Sequence, residues 1–330
     1  MSEYGSVILN KLALVIGLGS GACKALNHNY LCKKVYEIDF LAIDTDKHAL
    51  ARLDIPKNQQ LIIGKNLTMG IGTEAKPELG RESAIESINT LKKIISKDYK
   101  IVFILAGMGG ETGTGVVPII TELCHNLDCI VITIVSIPGH FEGKIINGNI
   151  QNRIDLLTRF SDIVLKLSID SIANSHKNLC SAQIFQCSDL FFKAPIDVIL
   201  RMFLFTKHSI YPNIDLDDIK TVIQGANGVS AVISGIGNGK NRIKEALLDM
   251  FDSPYLLDFK MVSVNSILVF TESGIKNEIT MAEIGKIIDY LQEEIGNDTV
   301  IIWGSGFDAD LKAEIRISAL LSPKLPLFEK

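Results

Sequence analysis

The sequence lacks the features that mark several classes of protein. It contains no low-complexity segment, and its formal net charge is -5, with no cluster of lysine and arginine dense enough for a nucleic-acid groove. The 330 residues are 47% hydrophobic and 22% charged, which is typical of a globular chain of one large or two ordinary domains. We therefore expect no direct nucleic-acid partner.

Motifs for disulfides, zinc and membrane insertion are also missing. The six cysteines include no CxxC pair and no His/Cys ligand spacing, so they indicate reduced, mostly buried thiols. The N-terminal residues do not form a basic segment followed by a cleavable apolar stretch, and no apolar run approaches the roughly 20 residues that span a bilayer. These absences predict a cytoplasmic protein without direct membrane insertion.

The first half contains short, β-branched apolar runs that lead into turns of glycine, acid or proline. These runs cover residues 12–16, 40–43, 101–106 and 129–137. Strands that are apolar on both faces and separated by helices predict a mostly parallel sheet in a Rossmann-like α/β domain. Ligands of such sheets bind beyond the carboxyl ends of the strands.

The second half has a different pattern, which begins with a long apolar helix at residues 181–207. Pro195 lies inside it and predicts a kink, or a helix start near that residue. After a loop at residues 211–218, strands are predicted at 228–234, 260–270, 299–303 and 313–321, with a helix at 281–295. This order predicts a smaller α+β domain that is joined to the first through the long helix.

The turn after the first strand, GLGSGA at residues 17–22, fits the GxGxxG/A dinucleotide fingerprint. Asp44 ends the second strand and is placed to hold a ribose hydroxyl. Alone, this pattern leaves open an NAD-dependent oxidoreductase.

A second glycine loop, GMGGETGTG at residues 107–115, follows the strand at 101–106. Two such loops suit a mononucleotide whose phosphates contact backbone N–H groups and threonine hydroxyls from both sides. The absence of GxxxxGK[ST] excludes a P-loop NTPase. The alternative is a tight turn and helix cap, although five glycines lower stability unless a close approach requires them.

These loops resemble a known family. GMGGETGTG resembles the GGGTG(S/T)G signature of the tubulin and FtsZ superfamily, most closely that of FtsZ. VIGLGSGACKALNH, AIDTDKHAL, GIGTEAKPELGR and IPGHFEGK resemble further FtsZ loops in the same order, and so do PNIDLDDIKTVIQGANGVSAVISGIGNGKNRIKEAL and DADLKAEIRISA. The resemblance covers nearly the whole chain.

The resemblance implies a GTPase domain at residues 1–180, a central helix at 181–208, an activation domain at 209–323 and a short tail at 324–330. It also implies head-to-tail filaments with GTP or GDP between subunits. The acidic residues near the phosphates add Mg²⁺ as an expected cofactor. The residues implied to bind nucleotide are Gly19, Ser20, Gly21, Asp44, Gly72, Gly107, Gly109, Gly110, Glu111, Thr112, Gly113, Thr114, Glu142, Phe192 and Asp197. No metal ligand is assigned.

Two parts of this set have assigned roles. Phe192 would pack on the guanine and Asp197 would accept from its two N–H donors, which favours guanine over adenine. Ordinary core packing is the alternative for Phe192. Asn213, Asp215 and Asp218 match the acidic NxDxxD loop that completes the neighbouring subunit's active site, where a carboxylate orients water. The alternative is an acidic N-cap for a helix that starts near Ile219.

Departures from the family concentrate at the nucleotide. Glu74 and Glu111 replace glycines, Asp44, Lys24 and Lys76 replace asparagines, Ile146 replaces an arginine, and Ile169 and Ile196 replace asparagines. A carboxylate ~5 Å from a phosphate costs about 3 kcal/mol at an effective dielectric near 20. Glu111 is therefore expected either to share a divalent cation with the phosphate or to turn outward and contact the next subunit.

Only KLPLFEK follows Pro323, so the typical FtsZ linker and tether-binding peptide are not seen. The sequence thus leaves three alternatives. The protein coassembles with a full-length FtsZ, binds its membrane tether through another part of the chain, or functions away from the membrane. The leading hypothesis is an FtsZ-like cytoskeletal GTPase. The alternatives are a filament-forming paralogue with weak or no nucleotide turnover and, less favoured, the oxidoreductase.

Overall fold

The chain divides into two compact units, Met1–Thr133 and Ile134–Lys330. The structure is a computed structural model, and it describes residues 13–31, 38–73, 76–96, 99–127, 129–143, 150–175, 178–205, 214, 216–223, 228–256, 259, 261 and 264–323. Each unit is described by itself below.

The first unit contains a parallel sheet. Its strands are β1 Ala13–Leu18, β2 Ile38–Asp44, β3 Gln60–Ile62 and β4 Ile101–Gly107, in the order β3-β2-β1-β4. The helices of this unit are α1 Gly19–Leu31, α2 Lys47–Ala51, α3 Lys65–Thr68, α4 Pro77–Glu86, α5 Ile88–Ile95 and α6 Glu111–His125. The strand β5, Ile130–Ile137, crosses the limit between the units.

The buried strands explain the position of the loops. All six residues of β1 are buried, as are the first six of β4, which is the pattern of a parallel strand covered on both faces. In the register, Leu18 is opposite both Ile43 and Ala106. The carboxyl ends of three strands therefore lie side by side, so the prediction of a parallel α/β domain with loops at one sheet edge is confirmed.

The second unit combines parallel and antiparallel pairing. β6 Ile163–Ser168 pairs in parallel with β7 Val229–Gly237, β10 Ile315–Pro323 is antiparallel to both β7 and β8 Val264–Ser273, and β9 Val300–Phe307 is parallel to β8. Its helices are α7 Ile150–Leu157, α8 Ile169–Ser175, α9 Ser181–Phe205, α10 Leu216–Ile223, α11 Arg242–Phe251 and α12 Met281–Ile295. An apolar core includes Met250, Leu291 and Ile317, as expected for an α+β domain.

The long helix α9 runs without interruption through Pro195, so a helix start near that residue is wrong. Proline has no backbone N–H, which leaves the carbonyl four residues earlier, that of Phe191, without its helical donor. The Tyr255 hydroxyl donates to this oxygen instead. A side chain thus replaces the backbone donor that Pro195 lacks.

The predicted strands differ from the observed ones by a few residues at their ends. The sequence also missed two strands. β3 has three residues, and β6 is interrupted by the half-buried Lys166, so neither forms a continuous apolar run. The helix that follows the acidic loop, α10, begins at Leu216 rather than near Ile219. Residues 1–12 and 324–330 lie outside the described residues.

Candidate functional site

Two glycine loops touch through their backbones at the ends of β1 and β4. Gly19 has a φ of 79°, and a Cβ built on it would lie 3.0 Å from the backbone nitrogen of Gly113. A Cβ on Gly113 would lie 3.0 Å from the carbonyl oxygens of Gly107 and Leu18. A left-handed φ and such close approaches are tolerated by glycine alone without strain. Packing between the loops therefore requires glycine at positions 19 and 113.

Three threonine hydroxyls meet at the same place. The Oγ1 of Thr112, in the first turn of α6, lies 3.0 Å from that of Thr45 and 3.3 Å from that of Thr73. Thr45 follows β2, and Thr73 follows the turn that contains Gly72, whose φ is 97°. Of the three, only Thr112 was predicted from the sequence. Thr45 follows Asp44 directly in the sequence, but its contact with Thr112 depends on the fold.

Asp44 accepts a hydrogen bond from the first glycine loop, residues 17–22. Its carboxylate accepts hydrogen bonds from Ser20 Oγ at 2.7 Å and from the backbone nitrogens of Thr45 at 2.7 Å and Asp46 at 3.3 Å. Because Asp44 is 1% exposed, burial raises the pKa of its carboxyl above the ordinary value, although these hydrogen bonds oppose the shift. The carboxylate thus positions Ser20, and a direct contact with a ribose stays a prediction.

Glu111 is the first residue of α6, and its N-cap is Gly110. Its side chain is half-exposed. A carboxylate in the first turn of a helix is stabilised by the unpaired N–H groups and the positive end of the helix dipole. The same groups attract phosphate. Glu111 therefore stabilises α6 at the position where an anionic ligand would also bind.

The remaining described residues that were predicted near the phosphates lie on α1, in the turn after β4, on α6 and at the start of α4. Gly21 lies in the first turn of α1, where a Cβ would meet nothing within 4 Å. Gly109 is in the turn between β4 and α6. The Thr114 hydroxyl donates to the carbonyl oxygen of Met108 at 3.0 Å, so it holds the turn closed. Glu74 lies outside the described residues, and Lys76 is exposed at the start of α4.

The base-side residues lie in the second unit. On α9, Phe192 is 4% exposed and Ile196 is also buried. The Asp197 carboxylate is half-exposed, and its Oδ2 lies 3.9 Å from the Lys193 ammonium. Ile169, at the start of α8, is buried as well. Asp197 thus presents a partly accessible carboxylate. The side chain of the preceding residue, Ile196, can neither donate nor accept a hydrogen bond.

Glu142 ends a short 3₁₀ turn, His140–Glu142. One carboxylate oxygen accepts from the backbone nitrogen of Gly139 at 3.1 Å, which ties the side chain to its own loop. The side chain is half-exposed, so its predicted contact with a ribose stays a prediction. Ile146 lies outside the described residues.

The acidic NxDxxD loop is described only in part. Asn213 and Asp215 lie outside the described residues, whereas Asp218 lies near the start of α10 with a half-exposed side chain. An acid at the start of a helix favours helix formation, so the capping alternative and the catalytic prediction are both compatible with this position. In the described part of the chain, no cluster of three or more His, Cys, Asp or Glu side chains could hold a metal ion.

Comparison with known proteins identifies the family. The model of the Tubulin/FtsZ family, GTPase domain, matches residues 10–177, which is more than half of the chain, and the FtsZ family C-terminal domain matches residues 228–322. The chain belongs to the tubulin/FtsZ family. The FtsZ resemblance is thereby confirmed, and nothing supports the oxidoreductase alternative.

Relatives named as cell division protein FtsZ align with almost the whole chain. The protein from Buchnera aphidicola subsp. Baizongia pistaciae is 31% identical over 312 residues, which cover 94% of this chain and 78% of that protein. FtsZ 1 of Archaeoglobus fulgidus is 27% identical over 321 residues, with 96% and 84% covered. This chain is accordingly an FtsZ-like cytoskeletal protein of a GTPase family.

Solved structures agree on the fold. An empty FtsZ dimer from M. jannaschii has a TM-score of 0.80 at 23% identity, with 94% of this chain and 88% of that chain covered. The GDP-bound CetZ1 monomer of Haloferax volcanii has a TM-score of 0.80 at 20% identity, with 96% of both chains covered. At these identities the likeness supports the fold alone. None of the helices in the described ranges combines the length and apolar character needed to span a bilayer.

Proposed function

We propose that this protein binds GTP and GDP in the cytoplasm, polymerises head to tail with copies of itself and hydrolyses GTP at the subunit interface. The observation that carries the proposal is the meeting of Gly19, Gly113 and the Thr112 hydroxyl at the ends of adjacent parallel strands. Glycine loops at helix N-termini bind phosphates through backbone N–H groups, and membership of a GTPase family supports GTP as the nucleotide.

The residues of the first unit fit the phosphates. Backbone N–H groups at the starts of α1 and α6 would donate to phosphate oxygens, and the threonine hydroxyls would add donors. Bound Mg²⁺ would neutralise part of the phosphate charge. Glu111 is a half-exposed carboxylate at the first position of α6, and we propose that it shares this cation rather than repelling the nucleotide.

In the second unit, we propose that Asp197 accepts from the two N–H donors of guanine. Its carboxylate is half-exposed, and Lys193 lies 3.9 Å away. The two carboxylate oxygens would accept from the base beside this ammonium. Ile196 and Ile169, which are buried, would supply contact area but no hydrogen bonds.

Hydrolysis would depend on the acidic loop of a neighbouring copy. Asp215 and Asp218 would orient a water molecule and accept its proton, and Asn213 would help to position it. Self-association of fold neighbours supports this part of the proposal, since one is described as an FtsZ dimer and another as a GTPγS-bound CetZ2 protofilament. Coassembly with a full-length FtsZ is a further proposal.

A second candidate is a filament that binds nucleotide weakly or turns it over slowly. The buried Ile169 and Ile196 favour it, because apolar side chains at these positions cannot hydrogen-bond a base or ribose. In this case the acidic loop would serve only as a contact between subunits.

The deciding experiment has three measurements on the purified protein. The first identifies the nucleotide released on denaturation. The second records sedimentation with GTP, GDP and no nucleotide. The third measures GTPase activity per subunit against protein concentration for the native chain, Asp215→Ala and Asp218→Ala. Asp289→Ala, which removes an exposed charge on α12, is the matched control.

We expect activity that rises with concentration and is lost in Asp215→Ala while the nucleotide stays bound. Activity independent of concentration would contradict interface hydrolysis. Filaments that form without nucleotide, from protein that releases none, would instead establish the second candidate.

A further inference from the structure

A cavity of about 450 Å³ in the first unit lies beside β3, and we call it the β3 cavity. Lys47, His48, Lys57 and Lys65 line it, and all four side chains are exposed. None of the described lining residues carries a carboxylate. Within the part of the chain that the structure describes, these lysines form no ion pair. The β3 cavity is thus a cluster of unpaired cations on a protein whose net charge is -5.

The floor of the β3 cavity is apolar. This floor consists of Leu50, which is buried, and of Leu61 and Ile62, which are half-buried. An inorganic anion gains nothing from apolar contact, whereas a ligand that carries an apolar group between anionic groups gains from both the floor and the rim. The lining therefore favours a ligand with alternating apolar and acidic character.

The strand beside the cavity is the edge of its sheet. Among the described strands, only β2 pairs with β3. The backbone nitrogen of Ile63 donates to the carbonyl oxygen of Asp44 at 3.1 Å, so by alternation the N–H and C=O groups of Ile62 point away from β2. Such groups can pair with an added extended chain.

We infer that the β3 cavity binds an acidic peptide segment in extended conformation. One apolar side chain of the segment rests on Leu50 and Leu61, the flanking carboxylates meet the lysines, and the segment backbone pairs with Ile62. A flat anionic membrane would contact the exposed lysines but not the buried Leu50, so a lining that includes both favours a peptide. The inference does not rest on nucleotide binding, because no residue of the two glycine loops, residues 17–22 and 107–115, lines the cavity.

The probe is a fluorescein-labelled peptide that alternates aspartate and leucine over about five positions between glycine-serine ends. Its binding is measured by fluorescence anisotropy. One comparison peptide has serine in place of leucine, and another has lysine in place of aspartate. Vesicles of phosphatidylglycerol and inorganic phosphate are tested as competitors.

The test variant is the pair Lys57→Glu and Lys65→Glu. Its matched control is Lys92→Glu with Lys93→Glu, which reverses two exposed charges on α5 outside the cavity. We expect the test pair to weaken binding by about tenfold or more, and the control pair by less than about twofold. Ala51→Glu, an exposed change in the lining, should weaken binding similarly without touching a lysine.

Circular dichroism shows that each variant is folded. Equal weakening by both charge pairs would overturn the inference, since it would indicate only general attraction. Equally tight binding of the serine peptide would overturn the role of the apolar floor. Binding of vesicles but not of the peptide would replace the inference with a lipid site, and no binding of either would end it.

Discussion

The Tyr255 hydroxyl donates a hydrogen bond to the backbone oxygen of Phe191. Pro195, four residues further along α9, has no backbone N–H to donate to this oxygen. The contact explains how a helix of 25 residues continues through a proline, and it links α9 to the turn Pro254–Leu256. Burial raises the pKa of the Tyr255 hydroxyl well above its ordinary value, so it stays a donor.

Tyr255→Phe should lower the free energy of unfolding by about 1–3 kcal/mol, because a buried carbonyl loses its donor. The sharper measurement is a double-mutant cycle with Pro195→Ala, which restores a backbone N–H to the same oxygen. In the Pro195→Ala background, Tyr255→Phe should cost less than about 1 kcal/mol. Equal losses in both backgrounds would show that the hydroxyl does not serve this carbonyl.

Gly113→Ala should distort the phosphate side, because its Cβ would lie 3.0 Å from two backbone oxygens. We expect a loss of about 1–3 kcal/mol in unfolding free energy, together with weaker nucleotide binding. Gly21→Ala is the control, since its Cβ would enter open space in a helix. This change should be neutral or stabilise by up to about 1 kcal/mol. Chemical denaturation separates the two, and similar effects would refute the packing argument.

Glu111→Gln should reduce the dependence of GTP affinity on Mg²⁺. Without magnesium the glutamine variant should bind more tightly than the native chain, by roughly tenfold or more, because a carboxylate no longer opposes the phosphates. With saturating magnesium the two affinities should converge. Titrations across magnesium concentrations test this, with Glu82→Gln on the exposed face of α4 as control. If the native chain and Glu111→Gln responded to magnesium identically, Glu111 would not share the cation.

Glu283 should make the second unit sensitive to acid. Its carboxylate accepts hydrogen bonds from Arg242 at 2.8 and 2.9 Å. These bonds are the main reason why the pKa of Glu283 is lowered from 4.5 to about 2. The folded state thus favours the ionised form. The resulting stability is complete above pH 4.5 and is lost as the pH falls towards 2.

Glu283→Gln keeps the capping box with Thr280 but removes the charge. We expect it to lower the unfolding free energy by about 1 kcal/mol near neutral pH, a magnitude reduced by solvent screening. The difference from the native chain should shrink as the pH falls. Denaturation at several pH values checks this, with the exposed Glu278→Gln as control. A gap that is constant across pH would mean that the ion pair contributes nothing.

The sequence predicts those parts of the fold that depend on continuous apolar runs. β1, β2 and β4 were found because both of their faces are buried, and α12 because its apolar face is regular. β6 was missed because Lys166 interrupts the run. The alternative of a helix start near Pro195 was wrong, because the side chain that replaces the missing donor is that of Tyr255, 60 residues further along the chain.

At the candidate site, too, features that depend on neighbouring residues were predicted, whereas contacts between distant parts of the chain were not. Glycine spacing identifies the loops, because a positive φ and a close backbone approach leave a local trace in the sequence. The contacts of Thr112 with Thr45 and Thr73 leave no such trace, since they join three loops that are 67 and 39 positions apart. The support that Ser20 receives from Asp44 is likewise visible only once β1 and β2 lie side by side.

The chain of hydroxyls through Thr45, Thr112 and Thr73 also bears on how quickly and how tightly a nucleotide can be captured. Hydrogen bonds between protein side chains join these three loops, so the loops are held together where we propose that the nucleotide binds. A ligand that enters such a preorganised cradle loses little of its binding energy to ordering the protein. Association should then proceed without a slow conformational step, and single-exponential, concentration-proportional binding kinetics would be its signature.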